Sequence, residues 1–374
     1  MRIGKIAIVG GGLAGLTAAI HLASNNLKVV LFEKDTFPRH KVCGEYLSKE
    51  IIPYLNSLDI SLKYLAPVEI NTLNYSTTSG KKVSSELEMG GIGVSRYALD
   101  NYLYKMAVKR GAEIIPETVT DITYSNDIFE ITTSEGTELT ADFVLGAFGK
   151  RSIIDKNLDR NFIQKKSEWL AVKAHYRHED YPDNLVSLHN FRGGYCGLSK
   201  VENGAVNVCY LATYKSFKEH KAPEDYKNNV LSENPHLQSF FQDAKPAFEK
   251  DLTIAQVSFD EKSLIENHVL MLGDAAGLIH PLCGNGMAMA IHSGKMASEA
   301  ILAFHNKKLS NRTEVEEGYQ MKWNKEFKTR LLTGRVLQSI LINPGMAGVS
   351  QNLISKLPFL LPHIIKRTHG KTVA

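Results

Sequence analysis

The glycine-rich segment at residues 10–15 has the residue types and spacing of a turn that binds the phosphates of a dinucleotide. It follows a short apolar run, KIAIV at 5–9, and precedes a helix-like run at 14–24. In such a G-x-G-x-x-G turn the first glycine permits the tight bend, the second lets a pyrophosphate approach the backbone, and the third lets helix and strand pack closely. The amides at the helix N-terminus add donors and a partial positive charge. The predicted turn comprises Gly10, Gly12, Leu13, Ala14 and Gly15.

An acidic residue stands where such a site needs one. Glu33 ends a second apolar run, KVVLFE at 28–33, and lies 33 − 15 = 18 residues beyond Gly15. An acid in this position accepts hydrogen bonds from the hydroxyls of a ribose. We include its neighbour Lys34 in the predicted site. The turn and the acid together predict a bound dinucleotide, but they leave NAD and FAD both open.

A second cluster, far along the chain, favours FAD over NAD. The run HVLML at 268–272 delivers Asp274 to the end of a predicted strand, where its carboxylate can accept hydrogen bonds from ribityl hydroxyls, which NAD lacks. A helix that begins near residue 286 would direct its N-terminal amides at the electron-rich edge of the flavin and stabilise the charge that develops there on reduction. The predicted residues are Gly273, Asp274, Pro281, Gly284, Gly286 and Met287.

Two residues are candidates for catalysis. His280 precedes Pro281 near the expected position of the flavin ring and could relay a proton. A lone histidine is more often a structural residue, so that alternative stays open. Tyr195 could donate a hydrogen bond to substrate or flavin, or it could simply pack in a sheet.

These residues require a mixed α/β fold. The first 33 residues are typical of a βαβ unit, so we predict a Rossmann-like, FAD-binding domain. Alternating segments with turns at Gly193-Gly194 and Asn203-Gly204 indicate an interleaved antiparallel-sheet substrate domain, and the C-terminus is predicted to be helical. The predicted boundaries are 1–65, 93–165 and 251–310 for the FAD domain, 66–92 and 166–250 for the sheet domain, and 311–374 for the C-terminal helices.

Composition excludes several other classes of protein. The net charge is +4, from 44 basic and 40 acidic residues, which does not favour a nucleic-acid partner. The four cysteines are scattered without the paired spacing of a zinc site, so no metal is predicted. No signal peptide is recognisable, and every apolar run is shorter than the ~20 residues of a membrane-spanning helix. A cytoplasmic protein is expected. In the basic, apolar tail at 335–371, docking on the protein's own core is favoured over peripheral membrane contact.

The combined motifs resemble those of the FAD-dependent oxidoreductases with the p-hydroxybenzoate hydroxylase fold. The resemblance covers nearly the whole chain. Three segments are most similar to the geranylgeranyl-reductase-like branch: RHKVCGEYLS at 39–48, GVSRYALDNYL at 93–103 and GGYCGLSKVENGAVNVC at 193–209. The resemblance implies that FAD is the cofactor. It also implies cofactor contacts for Arg39 and Arg96 near the phosphates, for Cys43 and Gly44 near the flavin ring, and for the backbone of Val119 near adenine.

The chain departs from the family pattern at two places. Hydroxylases of this fold carry an Asp-Gly pair where this sequence has Phe148-Gly149, which puts direct reduction by NAD(P)H in doubt. Prenyl reductases carry a Tyr-x-Trp-x-Phe-Pro strand, in which Gly197 and Ser199 here replace the large aromatic residues. The tryptophan-rich motif of the flavin halogenases is absent from the sequence, so halogenation is not expected.

The leading hypothesis from the sequence is a monooxygenase. Reduced flavin and O2 would hydroxylate or epoxidise an apolar aromatic or polyketide-like molecule, with NAD(P)H or a separate reductase as the electron donor. This reaction depends mainly on the cofactor, which explains why no acid–base pair stands out. The first alternative is a geranylgeranyl-reductase-like ene-reductase that acts on a prenyl or polyene chain. The second is a non-catalytic flavin-binding or electron-relay protein.

Overall fold

The computed structural model describes residues 3–220, 222–279, 284–342 and 370–374, with the side chains of 337–342 excepted. His280, Pro281 and most of the tail at 335–371 lie outside the described residues. The strands are β1 (Ile6–Val9), β2 (Val29–Phe32), β3 (Tyr46–Ser48), β4 (Val68–Ser76), β5 (Lys82–Gly93), β6 (Glu113–Ile115), β7 (Val119–Ser125), β8 (Ile128–Thr133), β9 (Glu138–Ala141), β10 (Phe143–Gly146), β11 (Trp169–Arg177), β12 (Leu185–Phe191), β13 (Gly194–Lys200), β14 (Val206–Thr213), β15 (Lys245–Pro246), β16 (Leu252–Ile254), β17 (Ile265–Glu266) and β18 (Val269–Met271).

The helices are distributed along the whole described chain. They are α1 (Leu13–Ser24), α2 (Ile52–Ser57), α3 (Arg96–Lys109), α4 (Ile153–Asn157), α5 (Tyr214–Phe217), α6 (Pro223–Asn229), α7 (Pro235–Asp243), α8 (Gly286–His305) and α9 (Arg312–Ile342). Helix α1 packs against α3 and α8, and α8 packs in turn against α9. The glycine turn therefore opens a helix that is supported on both sides.

The first sheet has six strands in the order β17-β18-β10-β1-β2-β6. Four of its five pairings are parallel, and only β17 is antiparallel to its neighbour. Strands β1, β2, β10 and β18 are wholly buried, as expected for short apolar runs in a parallel sheet covered on both faces. Since the carboxyl ends of parallel strands share one edge, the turns after β1, β2 and β18 lie together.

The second sheet has nine strands and is antiparallel except for the pairing of β12 with β4. Successive side chains of its strands point to opposite faces of the sheet and pack into different hydrophobic cores. On one face Trp169 and Ala171 pack with Tyr195 and Leu211. On the opposite face the intervening residues pack against helices α6 and α7. A separate three-stranded sheet contains β7, β8 and β9.

The predicted α/β fold class is confirmed, with its parallel sheet, its antiparallel sheet and a helical C-terminal region. Two short segments inside the predicted boundaries of the FAD domain pair with the nine-stranded sheet instead. Strand β3 pairs with β5, and β16 pairs with β11, so each covers an edge that would otherwise expose backbone hydrogen-bonding groups. The two parts of the molecule are thus joined by shared strands as well as by loops.

The last described residues, 370–374, return to the core. The amide of Val373 donates to the carbonyl oxygen of Glu50 at 2.8 Å, and the Val373 side chain is buried. Within the described part of the chain, no helix has both the length and the apolar character needed to cross a membrane.

Candidate functional site

The turn between β1 and α1 has the geometry expected of a phosphate-binding turn. Gly10 has a φ of +111°, and a Cβ atom there would overlap the carbonyl oxygen of Ala147. A Cβ atom at Gly15 would overlap the carbonyl oxygen of Gly10 itself. At Gly12, by contrast, a Cβ atom would meet nothing closer than Nη2 of Arg96, at 3.9 Å. Gly10 and Gly15 are therefore required by the fold, whereas Gly12 keeps the open side of the turn clear for a ligand.

Glu33 follows β2 directly and is held beside the glycine turn. Its Oε2 accepts a hydrogen bond from the amide of Gly11 at 2.9 Å. Its Oε1 accepts one from the amide of Asp35 and lies 2.9 Å from Nη2 of Arg39. Glu33, Lys34 and Arg39 all line the same cavity. The acid is thus oriented before any ribose is bound.

Arg96 begins α3 and is fixed by a residue that sequence reasoning missed. Asp100, one helical turn later, accepts from Nε of Arg96 at 2.6 Å and from its Nη2 at 2.8 Å. Its Oδ2 also lies 2.8 Å from Nζ of Lys41, which reaches to 3.4 Å from the carbonyl oxygen of Gly11. Burial alone would raise the pKa of the Asp100 carboxyl, but Arg96 and Lys41 outweigh it and lower that pKa. Two cations around one carboxylate leave a net positive charge beside the turn, which suits a pyrophosphate.

The i, i+4 spacing of Arg96 and Asp100, which the structure places in the first turns of α3, was the available signal for this pair. No such signal existed for Lys41, because its contact with Asp100 spans the fold rather than one helix turn. The predicted adenine contact, Val119, begins β7 and lines the cavity together with Glu117 and Thr118.

The turn after β18 carries Asp274 to the cavity. Gly273 adopts a φ of +56°, and its amide donates to Oγ of Ser293 at 2.8 Å. The backbone carbonyl of Asp274 accepts from Nζ of Lys262 at 2.7 Å, while Lys262 also donates to the carbonyl of Lys150. Burial lowers the pKa of Lys262 to about 8. A buried lysine thus positions the segment that presents the predicted ribityl-binding acid.

Helix α8 begins at Gly286, and its first turn faces the cavity. Asn285 precedes it and is fully buried; its Nδ2 lies 3.2 and 3.3 Å from the two carboxylate oxygens of Glu50. Gly284 has a φ of +61° and, with Gly286 and Met287, lines the cavity. This places the N-terminal amides of a 20-residue helix at the predicted ring end of the site.

The loop with Cys43 and Gly44 forms another wall at the same end. Nδ2 of Asn207 donates to the carbonyl of Cys43 at 3.2 Å, and Nζ of Lys150 donates to the carbonyl of Val42 at 3.3 Å. Both Cys43 and Gly44 line the cavity. Asn207 belongs to β14, so the nine-stranded sheet holds this loop.

One continuous cavity of about 1360 Å³ connects the glycine turn, Glu33, Arg96, the loop with Cys43 and Gly44, Asp274 and the start of α8. A pocket for a single small ligand measures about 300–1,000 Å³, so this cavity has room for a dinucleotide and a second molecule. Beyond the loop at 43–44 its wall is the nine-stranded sheet, and the side chains there are mostly apolar: Leu73, Leu87, Leu188, Tyr195, Leu211 and Val257. The structure thus brings Tyr195 to the same cavity as the predicted cofactor residues.

Gly197 widens the cavity beside Tyr195. A Cβ atom at Gly197 would have its nearest neighbour, Cδ2 of Leu188, at 3.5 Å, an ordinary contact distance. A Cβ atom therefore fits at this position, and the lack of a side chain leaves the space against the sheet open. Phe148, which replaces the acid of the hydroxylase pattern, also lines the cavity.

The glycine turn, the cations beside it, and the acids at both ends are donors and acceptors that fit FAD. In agreement with this, the profile of the family described as "FAD binding domain" matches residues 4–308. The chain belongs to this family. The predicted family resemblance is confirmed, and the protein is an FAD-dependent oxidoreductase. The roles assigned to single residues and the use of NAD(P)H stay predictions.

Curated relatives are similar over most of their length. The chain is 24% identical to conditioned medium factor receptor 1 of Dictyostelium discoideum, over 94% of this chain and 73% of that protein. It is 24% identical to menaquinone reductase of Mycobacterium tuberculosis, over 79% and 76%. It is 26% identical to digeranylgeranylglycerophospholipid reductase of Methanosarcina acetivorans, over 85% and 80%.

Solved structures show the same fold at low identity. A flavoprotein/dehydrogenase from Cytophaga hutchinsonii superposes with a TM-score of 0.76 at 18% identity, covering 92% of this chain and 86% of that one. The flavin-dependent brominase Bmp2 gives 0.75 at 17% identity, over 98% and 94%. The halogenase PltM, solved with phloroglucinol and FAD, gives 0.76 at 17% identity, over 97% and 83%.

Proposed function

We propose that the protein is an FAD-dependent reductase that saturates a carbon–carbon double bond in a lipophilic molecule with an isoprenoid or polyene chain. The observation that carries this proposal is the large cavity that runs from the glycine turn to an apolar wall of the nine-stranded sheet. Two of the relatives are named as reductases of menaquinone and of a digeranylgeranylglycerophospholipid. These names favour the reaction that the sequence alone ranked second.

Bound FAD would supply the hydride for such a reduction. The chain's own residues would bind and orient the cofactor: Arg96 and Lys41 at the pyrophosphate, Glu33 at the ribose and Asp274 at the ribityl chain. The N-terminal amides of α8 would stabilise negative charge at the edge of the ring. NAD(P)H or a separate reductase stays the proposed source of electrons.

Saturation of a double bond also requires a proton for the second carbon. The hydroxyl of Tyr195 is the group on the sheet wall to which we assign this role, because Tyr195 lies in the cavity and is only 6% exposed. Tyr75 also lines the cavity, but its hydroxyl accepts a hydrogen bond from Asn190, and burial raises its pKa to about 12. The raised pKa makes the Tyr75 hydroxyl a weak proton donor at neutral pH.

Anaerobic single-turnover measurements test the proposal. The FAD-loaded protein is reduced with dithionite and mixed, without oxygen, with menaquinone or with a geranylgeranyl ether lipid. We expect return of the oxidised flavin absorption together with a product whose isoprenoid chain is two hydrogens heavier by fragment mass spectrometry, which distinguishes saturation of the chain from reduction of the quinone ring. Tyr195→Phe should slow product formation and leave FAD affinity unchanged. No flavin oxidation by either lipid class would contradict the proposal.

Monooxygenation of an aromatic molecule is the second candidate, and the aromatic lining of the cavity favours it. Tyr46, Tyr75 and Tyr195 all contribute to the lining, and an aromatic substrate could pack against such side chains. In this case the reduced protein would turn over only with O2, and one oxygen atom from 18O2 would appear in the product. A protein that binds FAD and turns over neither substrate class would instead support the electron-relay alternative.

A further inference from the structure

A buried charged cluster joins the loop at residues 42–45 to the nine-stranded sheet. Glu45 and Lys173 are fully buried, and His175 is 2% exposed. Oε1 of Glu45 lies 2.5 Å from Nζ of Lys173, and its Oε2 lies 2.7 Å from Nε2 of His175. Lys173 and His175 both belong to β11, so one carboxylate of the cofactor-binding part is bound twice by the sheet.

The same residue also anchors its own loop to helix α3. The amide of Arg96, the first residue of α3, donates to Oε1 of Glu45 at 2.7 Å. The carbonyl of Glu45 accepts from the amide of Val94 at 3.1 Å, and Glu45 itself adopts a φ of +54°. Glu45 therefore stands where the loop, the start of α3 and the sheet meet, immediately after Cys43 and Gly44.

The neighbours of Glu45 in this cluster favour its carboxylate form. Burial would raise the pKa of the Glu45 carboxyl, but His175 and Lys173 outweigh it and lower that pKa. His40 packs edge-on against His175, with ring centroids 5.1 Å apart, and burial together with Lys173 lowers its pKa to about 4. At neutral pH His40 is therefore uncharged, and the pair of Glu45 with Lys173 carries no net charge.

Side chains of this kind could in principle bind a metal ion. Ligand atoms of His40, Glu45 and His175 lie within 4.8 Å of one another. However, the ammonium group of Lys173 already occupies one oxygen of Glu45, and a second cation placed beside it would be repelled. The cluster is better suited to hold two parts of the protein together.

We propose that Glu45, Lys173 and His175 form an interdomain lock that positions Cys43 and Gly44 against the flavin ring. In this arrangement the sheet that lines the substrate cavity also fixes the loop that forms one wall of the cofactor site. A substitution on the sheet therefore alters the surroundings of the flavin through Glu45. Glu45 also lines the cavity, but we assign it a positioning role, because its carboxylate is already bound by Lys173, His175 and the amide of Arg96 and acts on the flavin through the loop. The proposal rests on FAD binding and is independent of which substrate is reduced.

Spectroscopy of the bound flavin tests this lock without any substrate. Sulfite adds reversibly to the oxidised ring and bleaches its visible absorption, so its apparent dissociation constant reports the surroundings of the ring. Glu45→Gln and Lys173→Met should retain FAD but change the visible spectrum and shift the sulfite dissociation constant by about tenfold, since small displacements near a reacting centre have large effects. Lys173→Arg, which keeps the charge, should leave the visible spectrum and the sulfite dissociation constant close to those of the wild-type protein.

Two further variants separate positioning from a general loss of stability. Lys227 is also a buried lysine with a carboxylate partner, Glu224, but it contacts Tyr176 on the opposite face of the sheet. Lys227→Met should therefore lower the melting temperature without changing the sulfite titration. Asn207→Ala removes only the hydrogen bond to the Cys43 carbonyl and should alter the flavin spectrum even if the charge variants fail to fold.

Two results would overturn the inference. One is a wild-type spectrum and sulfite constant in Asn207→Ala and in every charge variant that folds with FAD. The other is one equivalent of a divalent metal in the purified wild-type protein that is lost in Glu45→Gln, which would make the cluster a metal site. Neither result depends on reductase activity, so this test and the test of the proposed reaction can fail separately.

Discussion

The two ends of the flavin site differ in how the chain builds them. At the pyrophosphate end, the glycine turn, α1 and Glu33 come from one continuous stretch of 33 residues. At the ring end, Cys43, Asp274 and Gly286 come from separate segments and are held by partners far away in sequence. Glu45 and Lys173 are 128 positions apart, and Glu50 and Asn285 are 235 apart.

This difference separates two kinds of dependence. The pyrophosphate end depends on local backbone geometry, which a single Cβ atom can destroy. The ring end depends on buried charges that join the parallel sheet's loops to the antiparallel sheet. The pyrophosphate end should therefore be disrupted by a side chain added at one of its glycines. The ring end should instead be sensitive to changes of charge and of pH.

The largest effect should follow from Gly15→Ala. Its methyl group would overlap the carbonyl oxygen of Gly10, which belongs to the backbone and cannot move aside. We expect loss of FAD binding and a destabilisation of about 1–3 kcal/mol, measured by flavin fluorescence and thermal unfolding. Gly12→Ala is the matched control: it should lower FAD affinity but leave the stability of the FAD-free protein unchanged. Normal FAD binding by Gly15→Ala would show that the turn is not built as described.

At the ring end, stability should depend on pH through Lys262. Its pKa is about 8 in the folded protein and 10.5 when unperturbed, so the unfolded state binds more protons between these values. Stability should therefore rise with pH across this window by about 3 kcal/mol, relative to Lys262→Met. Well below pH 8 Lys262 is protonated in both the folded and the unfolded state, so its contribution to the free energy of unfolding no longer changes with pH. Chemical denaturation of both proteins from pH 7 to 10.5 measures the difference, and parallel curves would contradict the prediction.

A smaller effect is expected when the acid of the pyrophosphate end is removed. Glu33→Ala should weaken FAD binding by about 1–3 kcal/mol, because hydroxyl partners on the ribose and the amide of Gly11 lose their acceptor. Isothermal titration of the FAD-free protein measures this change. Glu130→Ala, on the three-stranded sheet away from the cavity, is a control for loss of an exposed acid. Unchanged affinity in Glu33→Ala would mean that Glu33 does not hold the ribose.

The smallest effect on FAD should come from the sheet wall. Gly197→Trp fills space beside Tyr195 and Leu188, so FAD affinity should stay within about twofold while kcat/KM for a long prenyl substrate falls by about tenfold or more. Ser199→Ala changes the same face of β13 with little change in volume and should preserve both values. Equal loss of FAD and of turnover in Gly197→Trp would show that the cavity is not divided between cofactor and substrate.

Much of the pyrophosphate end could be predicted from the sequence. Gly10, Gly12, Gly15 and Glu33 have spacings that a βαβ unit dictates, and the structure places them together as expected. The strand before Asp274 and the helix after Gly286 were also predictable from apolar patterning. The partners of these residues were not: Lys41, Asp100, Lys262 and Glu50 are charged residues in the sequence with no local sign that they are buried.

The cofactor could thus be predicted from the sequence itself. The dinucleotide turn needs only residues that are neighbours along the chain, and the second cluster around Asp274, which favours FAD over NAD, is also a local pattern. The ring end and the substrate cavity were decided by the tertiary structure. Strands β3 and β16 cross into the nine-stranded sheet, and Glu45 meets Lys173 only when that sheet has formed. A carboxylate or an ammonium that is buried without its partner is strongly destabilising, so both must be brought together by the fold, and no periodicity in a sequence records such a pairing.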